Sequence, residues 1–534
     1  MKKLYKNAKV YTGELPLKEA FAVEDGRFIF AGSSEEGYAL GADETEDLGG
    51  RFVCAGFNDS HMHLLGFGSA LSMAPLAEHT ASLGELLDCL REHAKAHPLR
   101  EGQWLRGRGW NQDYFSDVSR MPNRWDLDRV SKDHPIAITR CCGHAMAVNS
   151  KALELCGIDA STPSPEGGRI GMKDGEPDGL FYDGAMPLIV NNIPLPGKEE
   201  VKDMIRSACR ALNGFGITSV QSDDFSAFRG LPWETVIGAY KELEASGELT
   251  VRVYEQCNLT EVDDFKRFTA AGNSARSGSD MFRIGPLKLL GDGSLGARTA
   301  YISRPYADDP SGRGFPIFTQ EQLDALTECA NESGFQFAVH AIGDACLDMV
   351  LDAAEKALEK HPRADHRHGI VHCQISRPDQ LERIAKLKMH VYAQSIFLDY
   401  DTKIVKERAG EELASSSYSW KTLMDKGVCV SNGSDCPVEL PDVMKGIQCA
   451  VTRRSCSGGE VYLKEEAFTV EEALDSFTRN AARASFDEDI KGRIVPGMLA
   501  DFTLLSEDPF EADPDRIKDI EILGTWLGGE KVFG

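Results

Sequence analysis

Eight short apolar runs, separated by stretches of helical periodicity, constrain the fold of this chain more than any other feature. They are 52–57 (FVCAGF), 216–221 (GITSVQ), 249–254 (LTVRVY), 284–290 (IGPLKLL), 335–339 (FQFAV), 369–371 (GIV), 390–394 (HVYAQ) and 428–431 (VCVS). Short apolar runs alternating with patterns such as 321–327 (EQLDALT) and 345–350 (ACLDMV) read as βαβ units. Eight such units predict a closed parallel (β/α)8 TIM barrel in an α/β chain.

The remainder of the 534 residues must then lie outside the barrel. Both ends are rich in short strand patterns, such as 21–30 around the turn at Asp25-Gly26, and 501–505, 520–527 and 531–533. Neither end alone has enough strands to be stable, so one small β-sandwich built from both termini is expected, from 1–52 plus 488–534. The barrel is expected over 53–65 plus 196–487. Residues 58–215 separate the first two barrel strands, far beyond an ordinary βα loop. Residues 66–195 therefore read as an inserted subdomain over the barrel mouth, with its own strand at 135–139 and turn-rich residues at 162–168.

The chain carries 59 basic and 84 acidic side chains, a formal net charge of −25. Such a surface repels phosphate backbones and anionic lipid, which argues against nucleic-acid and membrane partners. The amino terminus has early lysines but no apolar segment of signal-peptide type, and no run is long enough to span a membrane. A cytoplasmic location is the expectation. The 14 cysteines are scattered with no CxxC pair, and read as reduced thiols. Neighbouring Cys141 and Cys142 lack a base at recognisable spacing, so a nucleophilic thiol is not expected.

Chemistry concentrates at the strand ends. His61 and His63 close an apolar run, and alternation along an extended chain points both imidazoles the same way. That pair suits a metal such as Zn²⁺. Lys288 lies within the fourth run, His340 and His372 end the fifth and sixth, and Asp435 follows the eighth. Taken singly, each has a bland reading: a hydrogen-bonded core histidine, a paired lysine, a turn aspartate before Pro437. Together they mark the carboxyl-terminal face where barrel active sites form.

The order of these residues resembles the amidohydrolase superfamily, in its YtcJ-like branch (amidohydrolase family 3). The matching stretches are 56–63 (GFNDSHMH), 143–153 (GHAMAVNSKAL), 287–300 (LKLLGDGSLGARTA), 340–344 (HAIGD), 433–438 (GSDCPV) and 492–502 (GRIVPGMLADF). The resemblance implies two divalent metal ions, with zinc the expected species. His61 and His63 would bind the more buried ion, and His340 and His372 the second. Lys288, carrying a CO₂-derived carbamate, would bridge them. Asp435 would touch the first ion and act as the catalytic proton shuttle. A buried amine has the lowered pKa that CO₂ capture requires.

The implied activity is hydrolysis of a C–N bond other than a peptide bond, in a small-molecule amide, N-formyl compound, carbamate or cyclic amide. Two other readings stay open. One is a deaminase of a ring or amino-substituted substrate, although such relatives usually replace the bridging lysine. The other is a metal-free binding or assembly scaffold on the same barrel, although such relatives lose ligand histidines. Arg140 and His144 are candidates for substrate contact. A surface ion pair and a helix cap are their competing roles. Trp110 is read either as a lid that stacks on the ligand or as core of the insert. Asp292 and Arg298 could buttress the site, with a structural ion pair the favoured reading. Many relatives are homodimers, which sets the expectation for assembly; the substrate itself is not legible.

Overall fold

The computed structural model describes residues 1–534 except Glu101, Cys142 and Gly143. Eight parallel strands form one sheet in chain order: Phe57–Met62, Ile217–Ser222, Arg252–Asn258, Phe282–Leu290, Phe337–Ala341, Gly369–His372, His390–Ala393 and Val430–Asn432. These are barrel strands one to eight below. They are buried along nearly their whole length, which is why they read as near-continuous apolar runs rather than alternating ones. Amphipathic helices return the chain between them. Gln320–Glu332, for example, starts with a reciprocal capping box between Thr319 and Gln322.

Strands eight and one lie at the two ends of the hydrogen-bonded order, and the segment beyond strand eight joins them. Asp435 N–H donates to His61 O at 2.9 Å, and His63 N–H donates to Cys436 O at 2.8 Å. Gly433 permits the approach, since a Cβ there would stand 2.5 Å from His61 N.

The expected first strand, 52–57, proves to be two strands. Glu44–Ala55 belongs to a terminal sheet, and the chain enters the barrel beyond Gly56. A side chain at Gly56 would collide with Thr218, 2.3 Å away. The apolar run is continuous because both elements are buried, and burial does not reveal which sheet a strand joins.

The two termini do come together. They form one seven-stranded sheet, in the order Glu530–Phe533, Ile522–Leu527, Phe502–Leu505, Glu44–Ala55, Lys3–Val10, Ala20–Glu24 and Arg27–Gly32, where two packed sheets were expected. Its core is aromatic: Tyr5 stacks on Phe21 at 4.8 Å and Phe502 on Trp526 at 4.5 Å.

Gly68–Glu200 form a separate compact unit. It holds a six-stranded sheet in which Ile136–Arg140 is an inner strand. Among the described residues, no helix is long and apolar enough to cross a membrane. Every described cysteine is a free thiol. The Cys141-Cys142 pair and the GHAMAVNSKAL stretch each extend onto positions outside the described residues, Cys142 and Gly143.

A buried ion pair fastens the terminal sheet to the barrel. Arg252, in strand three, holds Asp501 with both prongs of its guanidinium, at 2.7 and 2.9 Å, and both residues are buried. Removing one partner of such a pair leaves an uncompensated buried charge. Asp501→Asn is expected to lower unfolding stability by about 3–5 kcal/mol, read from the urea midpoint. The apolar double replacement Arg252→Met with Asp501→Leu should recover much of that loss.

Candidate metal centre

Barrel closure sets the centre of the site. Because Asp435 is hydrogen-bonded through its backbone to His61, its carboxylate lies 3.3 Å from His61 Nε2 and 3.2 Å from His63 Nε2. His372 and Asp435 both have left-handed backbones, with φ of 77° and 57°. Non-glycine residues seldom adopt that conformation, and it collects at functional sites.

Three histidines are locked with the same ring atom turned inward. His61 Nδ1 donates to Gln256 Oε1 at 2.7 Å, His63 Nδ1 to the Asp223 carbonyl at 3.0 Å, and His372 Nδ1 to Gln394 Oε1 at 2.7 Å. With Nδ1 committed to a partner, Nε2 is the atom of each ring that faces the cluster, and its lone pair serves a cation whenever the imidazole is neutral, as metal-bound histidines require. His61, His372 and Asp435 each offer a ligand atom, and these atoms lie within 4.8 Å of one another. Two imidazole nitrogens and a carboxylate form a donor set suited to zinc and similar divalent ions, so the residues present fit the implied metal.

His340 is arranged the other way round. Its ring lies 4.4 Å from that of His372, but its Nε2 faces Gly293 O at 3.1 Å and Asp292 Oδ1 at 3.3 Å. Nδ1 is therefore the atom left for a ligand role. Asp292 does not pair with Arg298, as expected from the sequence. It accepts from the backbone N–H groups of Tyr301, Ile342 and Gly343, and so braces the turn after strand five. Arg298 instead pairs with Asp308 at 2.6 Å. Lys288 is fully buried inside strand four, and its Nζ approaches Asp223 Oδ2 at 4.0 Å.

Burial and proximity pull the titrations apart. Burial pushes His61 down to about 4 and His372 well below the usual histidine range. Burial likewise lowers Lys288. Burial also opposes charge on His63, but hydrogen bonding to Asp435 outweighs it and holds the imidazole up at about 9. For Asp435 the same competition runs in reverse. Burial works upward, and the imidazoles of His61 and His63 beside it hold the carboxyl well below its usual range.

The three residues proposed from the insert are placed differently from one another. Trp110 has no exposed surface and packs in the apolar core of Gly68–Glu200, so it is core and not a stacking lid. Arg140 bonds Gln112, Asn111 and Asp113, the last at 2.9 Å. His144 is exposed and pairs with Asp183 at 2.9 Å, while Asn149 caps the helix that follows. Sequence reasoning passed over Gln256 and Gln394, which orient two of the histidines. The available signal was a polar side chain at or just beyond the end of an apolar barrel strand.

The His63 shift gives a direct test. Its raised value lies above 7, so the metal-free protein holds that proton at pH 7, whereas a ligand imidazole must be neutral. Zinc binding at pH 7 should release about one proton from this residue, falling towards none above pH 9. Titration in weakly buffered solution with a pH indicator reads this, and the release should vanish in His63→Asn. Zinc uptake without proton release would show that His63 is neutral in the metal-free protein or is no ligand, and unchanged zinc affinity in His63→Asn would remove it from the ligand set.

Residues 44–533 match the sequence profile of the Amidohydrolase family. Over 545 aligned residues, the chain is 35% identical to the putative amidohydrolase YtcJ of Bacillus subtilis (strain 168), covering 100% of this chain and 99% of that protein. It is 25% identical over 527 residues to an N-substituted formamide deformylase of Arthrobacter pascens, covering 96% and 94% of the two chains. Among solved structures, an uncharacterised metal-dependent hydrolase from Pyrococcus horikoshii OT3 superposes with a TM-score of 0.79 at 30% identity, covering 96% of this chain and 99% of that one. With a profile match that spans nearly the whole sequence, the chain belongs to the amidohydrolase family.

Proposed function

We propose that this chain is a metal-dependent hydrolase of a C–N bond in a small-molecule amide, N-formyl compound, carbamate or cyclic amide. The observation that carries the reading is the convergence of His61, His372 and Asp435, with Nδ1 of His61, His63 and His372 already committed to a partner. An intact, oriented donor set supports an enzyme over a metal-free scaffold. Similarity to a protein named for deformylation of N-substituted formamides supports the N-acyl and N-formyl classes.

His61, His63 and Asp435 would hold one divalent ion, His340 and His372 a second, and a carbamylated Lys288 would bridge them; zinc is the proposed metal. When bound, the cations polarise the scissile carbonyl and bring the ionisation of water near neutrality. Asp435 accepts the proton of the attacking water and delivers it to the leaving nitrogen, as base and then as acid. The carboxylate is ionised at neutral pH, as accepting a proton requires. Gln256 and Gln394 keep two imidazoles from rotating out of line, and Asp292 holds His340 against the turn after strand five. The acidic surface favours neutral or cationic substrates.

The direct assay is amine release from a panel of N-formyl, N-acyl and carbamate compounds by zinc-, manganese- or iron-loaded protein. Asp435→Asn should lower turnover on the best substrate by about a hundredfold or more while the variant still holds metal. Full activity in that variant would strip Asp435 of its role. Lys288 can be tested separately. Protein loaded in ¹³C-bicarbonate should show one carbamate carbon resonance that is absent in Lys288→Gln. An unmodified Lys288 amine with both ions bound would remove the bridge from the scheme.

A further inference from the structure

Two adjacent aspartates follow barrel strand two, and their surroundings differ. Asp224 is fully engaged: it accepts from Leu65 N–H at 2.8 Å, from the Ser222 hydroxyl at 2.8 Å and from the Tyr240 hydroxyl. These contacts cap the helix Leu64–Leu71 that begins directly after His63. Asp224 is an acid with a structural task.

Asp223 has none of that company. It has no exposed surface, yet among the described residues its Oδ1 lacks any hydrogen-bond partner. Its other oxygen accepts from Asn258 Nδ2 at 3.2 Å and stands 4.0 Å from Lys288 Nζ. Its backbone is already tied to the metal-binding turn: the N–H donates to Met62 O at 2.9 Å, and the carbonyl accepts from His63 Nδ1 at 3.0 Å. A fully buried carboxylate with a bare oxygen is costly, and such groups in folded proteins are nearly always paired or bound to a cation.

We propose that Asp223 is a further carboxylate of the metal centre, which positions Lys288 and balances cation charge through its unpartnered oxygen. The inference rests on the two-ion reading above. In that reading the cations bring four positive charges, and Asp435 with a carbamylated Lys288 supplies two negative ones. A third buried anion beside the lysine reduces the excess in a site from which water is largely removed. The same geometry explains why the chain places a second acid next to Asp224, which already satisfies the cap. Asp223 is a positioning residue with respect to the reaction, since it acts on Lys288, on His63 and on the charge of the centre and not on substrate.

The test compares zinc affinity in the wild-type protein, Asp223→Asn and Asp224→Asn, by competition with a chromophoric chelator, alongside the thermal midpoint of each metal-free protein. Asp223→Asn keeps the shape and removes the charge, so zinc affinity should fall by about 10–100-fold with little change in the metal-free midpoint. Asp224→Asn should lower the midpoint with a smaller effect on affinity. Wild-type affinity in Asp223→Asn would overturn the inference and leave the two-ion reading standing. A wild-type protein that binds no zinc would overturn both. If Asp223→Asn fails to fold, a crystal structure of the zinc-loaded wild type decides the matter. Asp223 Oδ1 must then contact zinc or hydrogen-bond a zinc-bound group or the modified Lys288. An oxygen that stays bare would overturn the proposal.

Discussion

The site depends on how the barrel closes. Strands eight and one are joined by backbone hydrogen bonds from Asp435 to His61 and from His63 to Cys436. Those bonds set the register that brings a carboxylate from one end of the barrel sequence against two imidazoles from the other. Left-handed backbone at Asp435 and the close approach at Gly433 are local costs of that closure. The buried contacts of Asp59 with the Ser434 backbone and hydroxyl reinforce the same seam.

Once closed, the site is a place where charge is expensive and each group is governed by its neighbours. Burial keeps His61 and His372 neutral, which leaves them as nitrogen donors. His63 and Asp435, in contact, hold opposite charges against the same burial. Gln256, Gln394 and the Asp223 carbonyl fix ring orientation from outside, so the donor geometry is set before any cation arrives. This division, with one layer of donors and another that orients them, is shared among strands one, three and six and the segments after strands one, two, seven and eight. The arrangement spreads over the whole barrel rather than resting in one loop.

Much of this was readable from residue order. All eight apolar runs correspond to barrel strands or abut them, because strands buried on both faces must be apolar throughout. The polar residues that interrupt or end those runs are the ones that gather at the carboxyl-terminal face. Less was readable where one signal had two causes. The run 52–57 was apolar because two different sheets bury it, and only pairing with Phe502–Leu505 separates them. Asp292 and Arg298 looked like a pair because they are close in sequence, yet each found a partner elsewhere. Trp110 fitted the description of a lid and, somewhat better, of a core residue, and its burial decided between them.

The amino-acid sequence by itself determined the class of fold and singled out His61, His372 and Asp435, whose ligand atoms the structure brings together. Strand periodicity and residue type are local properties, printed in the order of the chain. Only the tertiary structure decided which nitrogen of each histidine faces inward, and that Gln256 and Gln394 hold two of them. It also decided that Asp223 and Asp224, one peptide bond apart, have different partners. Those outcomes depend on contacts between residues tens to hundreds of positions apart, where distance along the chain carries no information about distance in space.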